Sequence, residues 1–328
     1  MKKIIENNKV AFRENLIIPI VILCLTLSAF VSCNFQKKEN KQIIEDTGKR
    51  NNFPYDLNNP DTVYYLPEFL NEISGISCYK KKMIACVQDE NAIIYIFDIE
   101  TGKFISKFDF GKNDDYEDIA IVGNSAYVLR SDGTLFVIEN FEESQKKTIK
   151  IKTPLNNKNN TEGLFFDKYT NSLLIACKDS PSFNKNELYN GFKAIYRFDI
   201  KNNMLIKKPA YLIALPQIDS VKVNSSIEKF YIETARKLKL INNNNYFYPS
   251  GIAIHPIDTG NIYIISSVNK LLIIINKQGM IMDIIELDKR IFNQPEGICF
   301  SENGDLFISN EGGNGNANIL NFKPIIKL

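Results

Sequence analysis

"NQPEGICFSENGDLFISNEG", residues 293–312, carries two short apolar runs on either side of a turn. Ile298-Cys299-Phe300 leads into Glu302-Asn303-Gly304-Asp305, and Leu306-Phe307-Ile308 follows. Apolar runs of this length around an Asn-Gly step predict a β-hairpin. Ahead of the first run stands Pro295-Glu296-Gly297, which puts a carboxylate at the entrance to a buried strand.

The pattern recurs. "EISGIS" begins at Glu72, "DYEDIAIVGNSAYVLRSDGTLFVIEN" at Asp115, "NTEGLFFDKYTNSLLIACKD" at Asn160 and "YPSGIAIHPIDTGNIYIISSVNKLLIIINKQG" at Tyr248. Each has a polar residue, then Gly or Asp, then an apolar strand, a turn and a second apolar strand. The shared column is Gly75, Asp118, Gly163, Gly251 and Gly297, with steps of 43, 45, 88 and 46 residues. Three of these steps match the blade of a four-stranded propeller, about 40–50 residues.

The double step hides either a sixth, degenerate blade or one blade plus an insertion. "KAIYRFDI" and "PAYLIAL" supply two outer strands ending near Leu215, and no further hairpin follows before Tyr248. "SSIEKFYIETARKLKL", residues 225–240, has a Ser cap, acids early and bases late, which predicts a helix. The expected fold is therefore all-β: a five-bladed β-propeller with a helical insertion between blades three and four, six blades being the alternative. The last blade takes its third strand from about Ala317–Phe322. Its outer strand comes from "TVYYLP", Thr62–Pro67, which joins the chain ends and removes free sheet edges.

Preceding the column are Ser74, Glu117, Glu162, Ser250 and Glu296. Equivalent positions of a propeller lie on one ring around its channel, so three glutamates and two serines face one another at one mouth. Converging carboxylates repel unless a proton or a cation compensates. Oxygen donors without Cys or His favour a hard cation, Ca²⁺. Asp115, Asp118, Asp89, Glu90, Asn310 and Glu311 offer further oxygens. The alternative is a ring that only caps backbone amides and locks the blades.

The remaining composition narrows the function. Forty basic and 38 acidic side chains leave a net charge of +2, which carries no nucleic-acid footprint. Lys2, Lys3, Lys9 and Arg13 precede an apolar stretch, Leu16–Val31, too short for the roughly 20 residues of a membrane-spanning helix. The stretch ends in "SAFVSC", which resembles a bacterial lipobox with Cys33 as the lipidated residue. The expected organisation is a signal peptide over 1–33, a polar tether over 34–60 and the propeller domain over 61–328. Cys78, Cys86, Cys177 and Cys299 have no zinc-like spacing. They read as buried small hydrophobes or as disulfide partners. His255, the single histidine, sits in a turn of blade four and is expected in a surface or turn role apart from the glutamates.

"LPEFLNEISGIS", "VQDENAIIYIFDIETG", "DYEDIAIV", "TEGLFFD" and "QPEGICFSENGDLFISNEG" together resemble the SdiA-regulated (YjiK-like) family of bacterial envelope proteins, distantly similar to NHL-repeat propellers. The resemblance spans about residues 62–325. It implies a five-bladed propeller and a calcium site at Glu117, Glu162 and Glu296. Asp118 departs from it, standing where Gly is usual. It implies no biochemical activity.

The expectation is an envelope-anchored, calcium-binding lipoprotein acting as a monomeric binding or interaction module. Its N-terminal lipid holds it to the membrane, expected to be the outer membrane, facing the periplasm or the surface. Its ligand is an unidentified protein or small molecule. The alternative is a calcium-dependent hydrolase of lactonase or phosphoesterase type; no G-x-S-x-G elbow supports it.

Overall fold

The structure is a computed structural model and describes residues 53–183, 189–215, 218, 247–313 and 315–325. Its strands form five four-stranded antiparallel sheets. Blade one is β2 (Ile73–Tyr79), β3 (Met83–Gln88), β4 (Ile93–Asp98) and β5 (Lys103–Asp109). Blade two is β6 (Tyr116–Val122), β7 (Ser125–Arg130), β8 (Leu135–Glu139) and β9 (Lys147–Ile151). Blade three is β10 (Thr161–Asp167), β11 (Ser172–Cys177), β12 (Phe192–Asp199) and β13 (Met204–Ala214). Blade four is β14 (Pro249–Ile254), β15 (Asn261–Ser266), β16 (Leu271–Asn276) and β17 (Ile281–Glu286). Blade five joins β18 (Pro295–Phe300), β19 (Leu306–Asn310) and β20 (Asn318–Phe322) to β1 (Thr62–Tyr65), the first strand of the chain.

Among the described residues there are thus five blades, and the six-bladed alternative falls. The helix predicted over 225–240 lies outside the described residues. The swapped outer strand forms as its sequence implies: Thr62 pairs with Asn321 and Tyr65 with Asn318. The folded unit begins earlier than position 61. Tyr55 and Leu57, expected in the tether, are buried, and the Ile325 amide donates to the Pro54 carbonyl at 2.7 Å.

Strand composition explains the layering. Central strands such as β16, "LLIIIN", are apolar on both faces because each sheet packs between two others. Outer strands such as β5 alternate between exposed and half-buried residues. The core lies between blades. Ile94 and Ile96 of blade one meet Val128 and Ile138 of blade two, and Leu174 and Ile195 of blade three meet Ile264 and Ile273 of blade four. Phe307 and Ile319 of blade five meet Ile76 and Phe97 of blade one, which closes the ring. Each such side chain contributes about 1.5–3 kcal/mol on burial.

Near the axis the inner strands crowd. A Cβ on Gly251 would lie 2.5 Å from the Glu296 carbonyl, and one on Gly297 2.8 Å from the Ser74 carbonyl, so only glycine fits there. Ser309 Oγ bridges the seam between blades five and one, accepting from the Gly297 amide at 2.8 Å and donating to the Ser74 carbonyl at 3.1 Å.

Candidate functional site

Every inner strand carries a β-bulge at the same place. The registers shift between Ile73 and Ile76, Tyr116 and Asp118, Thr161 and Gly163, Pro249 and Gly251, and Pro295 and Ile298. The residues inside those shifts include Ser74, Glu117, Glu162, Ser250 and Glu296. A bulge re-aims a side chain that regular alternation would send into a sheet face. The repeated Glu/Ser-Gly/Asp step is therefore the sequence trace of five bulges that supply polar groups to one channel mouth.

A second ring follows from the pairing. Each second strand returns antiparallel to the same mouth, where Gln88, Arg130, Cys177, Ser266 and Asn310 pair with the inner-strand starts. The next residue in each case is Asp89, Ser131, Lys178, Ser267 or Glu311. Ser74, Asp89, Asp115, Glu117, Glu162, Lys178, Ser250, Glu296 and Glu311 line one cavity of about 100 Å³. Glu117, Glu162 and Glu296 come together there with Ser74, Ser250, Asp115, Asp89 and Glu311.

Three predicted oxygens lie outside this lining: those of Asn310, whose side-chain amide donates to Asn318 Oδ1 at 2.9 Å, and of Asp118 and Glu90. Asp118 is buried as a bracket between blades, its carboxylate accepting from the Ile119 amide at 2.8 Å and the Leu164 amide at 2.6 Å. It occupies the space that Gly75 leaves open, so it is a strut and not a ligand of the cavity. Glu90 is exposed at the rim.

Lys178 is the residue that sequence reasoning missed. Its ammonium stands 2.5 Å from Glu162 Oε1, among six carboxylates. Burial disfavours the ammonium, but Glu162, Glu296 and Glu117 outweigh burial and hold Lys178 firmly protonated. Lys193, fully buried behind it, donates to the Lys178 carbonyl at 2.5 Å and sits 4.4 Å from the Tyr248 ring centroid. It fixes the strand end that carries Lys178, and burial lowers its own pKa to about 8. The signal was present in the repeat: Lys178 occupies the column of Asp89 and Glu311.

Glu117, Glu162, Glu296, Glu311 and Asp89 are held above the ordinary carboxylate range. Burial raises Glu117, and the charges of Glu162 and Asp115 add to it. Burial also raises Glu162, with Lys178 opposing. Glu296 is raised by burial against the pull of Ser267, Lys178 and Lys270. Glu311 is pushed up to about 8 by burial and then by Glu296, Glu72 and Asp89. Asp89 rises to about 6 through burial, Glu72 and Glu90. Among the described residues, Asp89 Oδ1 in this cavity and Asn310 Oδ1 at the end of β19 are buried with no hydrogen-bond partner.

These donors match a hard cation in kind: they are all oxygens and include an unpartnered one. In placement they are not yet gathered. Among the described residues, no three Asp, Glu, His or Cys side chains stand as a group that could hold a metal ion. Glu162 is turned to Lys178 instead.

The inner strands end at the opposite mouth in a mixed chamber of about 190 Å³, lined by apolar Ile76, Ile119, Leu164 and Phe300 and by charged Asp167, Lys168 and Glu302, with Cys78 and Cys299 in its wall. His255 belongs to this end. It sits in the turn between β14 and β15, as expected and apart from the glutamates, but it is fully buried and not on the surface. Its Nδ1 accepts from the amides of Ile257 at 3.2 Å and Asp258 at 2.9 Å. Tyr55 Oη donates to the Gly304 carbonyl at 2.5 Å and lies 2.8 Å from His255 Nε2, which must then be the donor. The ring is a neutral bracket that pins residue 55 to blades four and five.

The sequence matches the SdiA-regulated family over residues 61–314. The chain belongs to this family. No curated protein sequence matches it. Among solved structures, this SdiA-regulated chain resembles glutaminyl cyclase of Myxococcus xanthus at 11% identity and TM-score 0.50, covering 81% of this chain and 95% of that one. It also resembles virginiamycin B lyase from Staphylococcus aureus at 14% identity and TM-score 0.40, covering 81% and 75%. A protein of unknown function from Bacteroides caccae matches at 11% identity and TM-score 0.42, covering 73% and 69%. At such identities the likeness concerns the fold alone.

Proposed function

We propose that this SdiA-regulated propeller is a binding module whose acidic mouth takes up Ca²⁺, and that its lipid-modified N-terminus anchors it to the cell envelope as a monomer. The observation that carries the first part is the cavity itself: six carboxylates and one ammonium around about 100 Å³, with Asp89 Oδ1 unpartnered among the described residues. Protons partly compensate the charge, and a divalent cation would do so more completely. Glu117, Glu296, Glu311 and Asp89 would hold it, with Glu162 shared between the cation and Lys178. Bound there, Ca²⁺ would supply charge compensation and a rigid rim for ligand contact. The lipidation site, Cys33, and the expected signal peptide lie outside the described residues. Among the described residues, no helix is long and apolar enough to cross a membrane.

Thermal unfolding in excess calcium and in EGTA tests the cation. A ligand specific to the native state adds about 2.7 kcal/mol at 100 times its Kd. A higher Tm in calcium, lost in Glu117→Gln, supports the reading. Equal melting of verified metal-free protein in both buffers overturns it. For the anchor, Cys33→Ser should release the protein from the membrane fraction, and unchanged retention would exclude lipidation as the tether. A calcium-dependent hydrolase is the second reading, favoured by Glu117. In that reading Glu117 is not a ligand of the cation, and burial and its neighbours would keep its carboxyl protonated, the state a general acid requires. Turnover of lactones or phosphoesters that Glu117→Gln abolishes would select it.

A further inference from the structure

The mouth opposite the carboxylates contains a feature that calcium binding does not use. Cys78 ends the inner strand of blade one and Cys299 that of blade five, 221 positions apart in the chain. Their sulfurs stand 2.7 Å apart. Cys299 is buried and Cys78 partly exposed, and both line the 190 Å³ chamber. The other two cysteines differ. Cys177 is fully buried between blades two and three. Cys86 shares the core cluster of Cys78 and Cys299 but is fully buried on β3.

The two sulfurs meet at the one seam that must be closed by chain ends. Elsewhere a blade follows its neighbour along the chain. Between blades five and one the ring relies on β1 pairing with β20, on Ser309 and on apolar packing. We infer that Cys78 and Cys299 form a covalent modification site, a disulfide that locks this seam. Each thiol loses a proton and an electron as the S–S bond forms. The electron pair reduces the disulfide of an oxidant, either a thiol–disulfide oxidoreductase or oxidised glutathione, to two thiols. A cross-link across so long a segment constrains the unfolded chain strongly. It also removes the two thiols from the chamber wall and leaves the acidic mouth unchanged.

The full-length protein is incubated with oxidised glutathione or with dithiothreitol, alkylated, and mapped without reduction. Oxidation should yield one cross-linked pair of tryptic peptides containing Cys78 and Cys299, two hydrogens lighter than the separate thiols. The oxidised protein should melt higher than the reduced one by on the order of 5–10 °C. Cys78→Ser and Cys299→Ala should show no redox-dependent shift. Cys78→Ser changes only a partly exposed side chain and carries the test if the other variant does not fold. Full alkylation of both cysteines after oxidation, a glutathione adduct at Cys78, or a bridge through Cys86 would each overturn the assignment. A Cys78–Cys299 bridge that leaves the melting temperature unmoved would overturn the lock.

Discussion

At the residue scale the acidic mouth turns on Lys178. Its ammonium is the cation the fold itself provides, and it competes with an external one for Glu162. Removing one member of a partly buried ion pair costs about 1–3 kcal/mol, less than in a dry interior because Glu162 can take up a proton instead. Lys178→Met is therefore expected to lower stability by that amount in EGTA. The calcium-induced rise in Tm should be larger than in the wild type, since the competing charge is gone. Paired melts of the two proteins in both buffers measure this. A smaller rise in the variant would mean that Lys178 helps to build the cation site. His255 obeys a different logic. Removing its ring takes the acceptor from two part-buried amides and the Nε2 donor from the Tyr55 hydroxyl, which keeps its own bond to the Gly304 carbonyl. His255→Ala should cost about 2–4 kcal/mol in denaturant unfolding while leaving calcium affinity near wild type. From the sequence the residue was expected in a surface or turn role. Nothing near position 255 reveals that Tyr55, 200 positions earlier, folds onto it.

At the element scale the hairpin with a bulged first strand is the unit, and its sequence signature was legible. Apolar runs, Asn-Gly turns and the Gly column each report a local requirement, so five blades and the swapped strand could be read directly. The second ring was harder to read, because it exists only through antiparallel pairing. Cys177 must be set opposite Thr161 before Lys178 meets Glu162. Asp118 shows the opposite case. It sits in the Gly column, yet its carboxylate serves the next blade's backbone, and sequence alone offered it as a ligand. The close approach between elements gives a direct test. In Gly251→Ala the new methyl meets the Glu296 carbonyl. Overpacking of this kind costs about 1–3 kcal/mol. Because the clash falls on the bulge that aims Glu296, calcium affinity should fall as well, and calorimetric titration would detect it. Unaltered binding in a destabilised variant would separate Glu296 from the site.

At the scale of the whole molecule the two mouths carry different chemistries: clustered carboxylates at the strand starts, a mixed and mostly apolar lining with a thiol pair at the strand ends. Their pH responses differ in sign. Glu117, Glu162 and Glu296 are raised, Glu311 to about 8 and Asp89 to about 6. The folded protein thus holds protons that the unfolded chain has released. Their contribution to stability is complete below the ordinary carboxylate range and is lost as pH rises through those values. His255, lowered by burial, runs the other way: its contribution is present above its unfolded value near 6.5 and is lost as pH falls. Lys193, lowered to about 8, likewise opposes the carboxylates once pH exceeds that value. Between about pH 6.5 and about pH 8 the acidic mouth therefore dominates. In EGTA the melting temperature should fall across this window. In calcium the fall should be smaller, so the gap between the two curves should widen with pH, and binding should release protons to the buffer. Glu311→Gln should flatten the EGTA curve by removing one of the groups that titrates there. If the EGTA curve is already flat in the wild type, the acids are not sharing protons, and the case for a cation at this mouth loses its electrostatic basis.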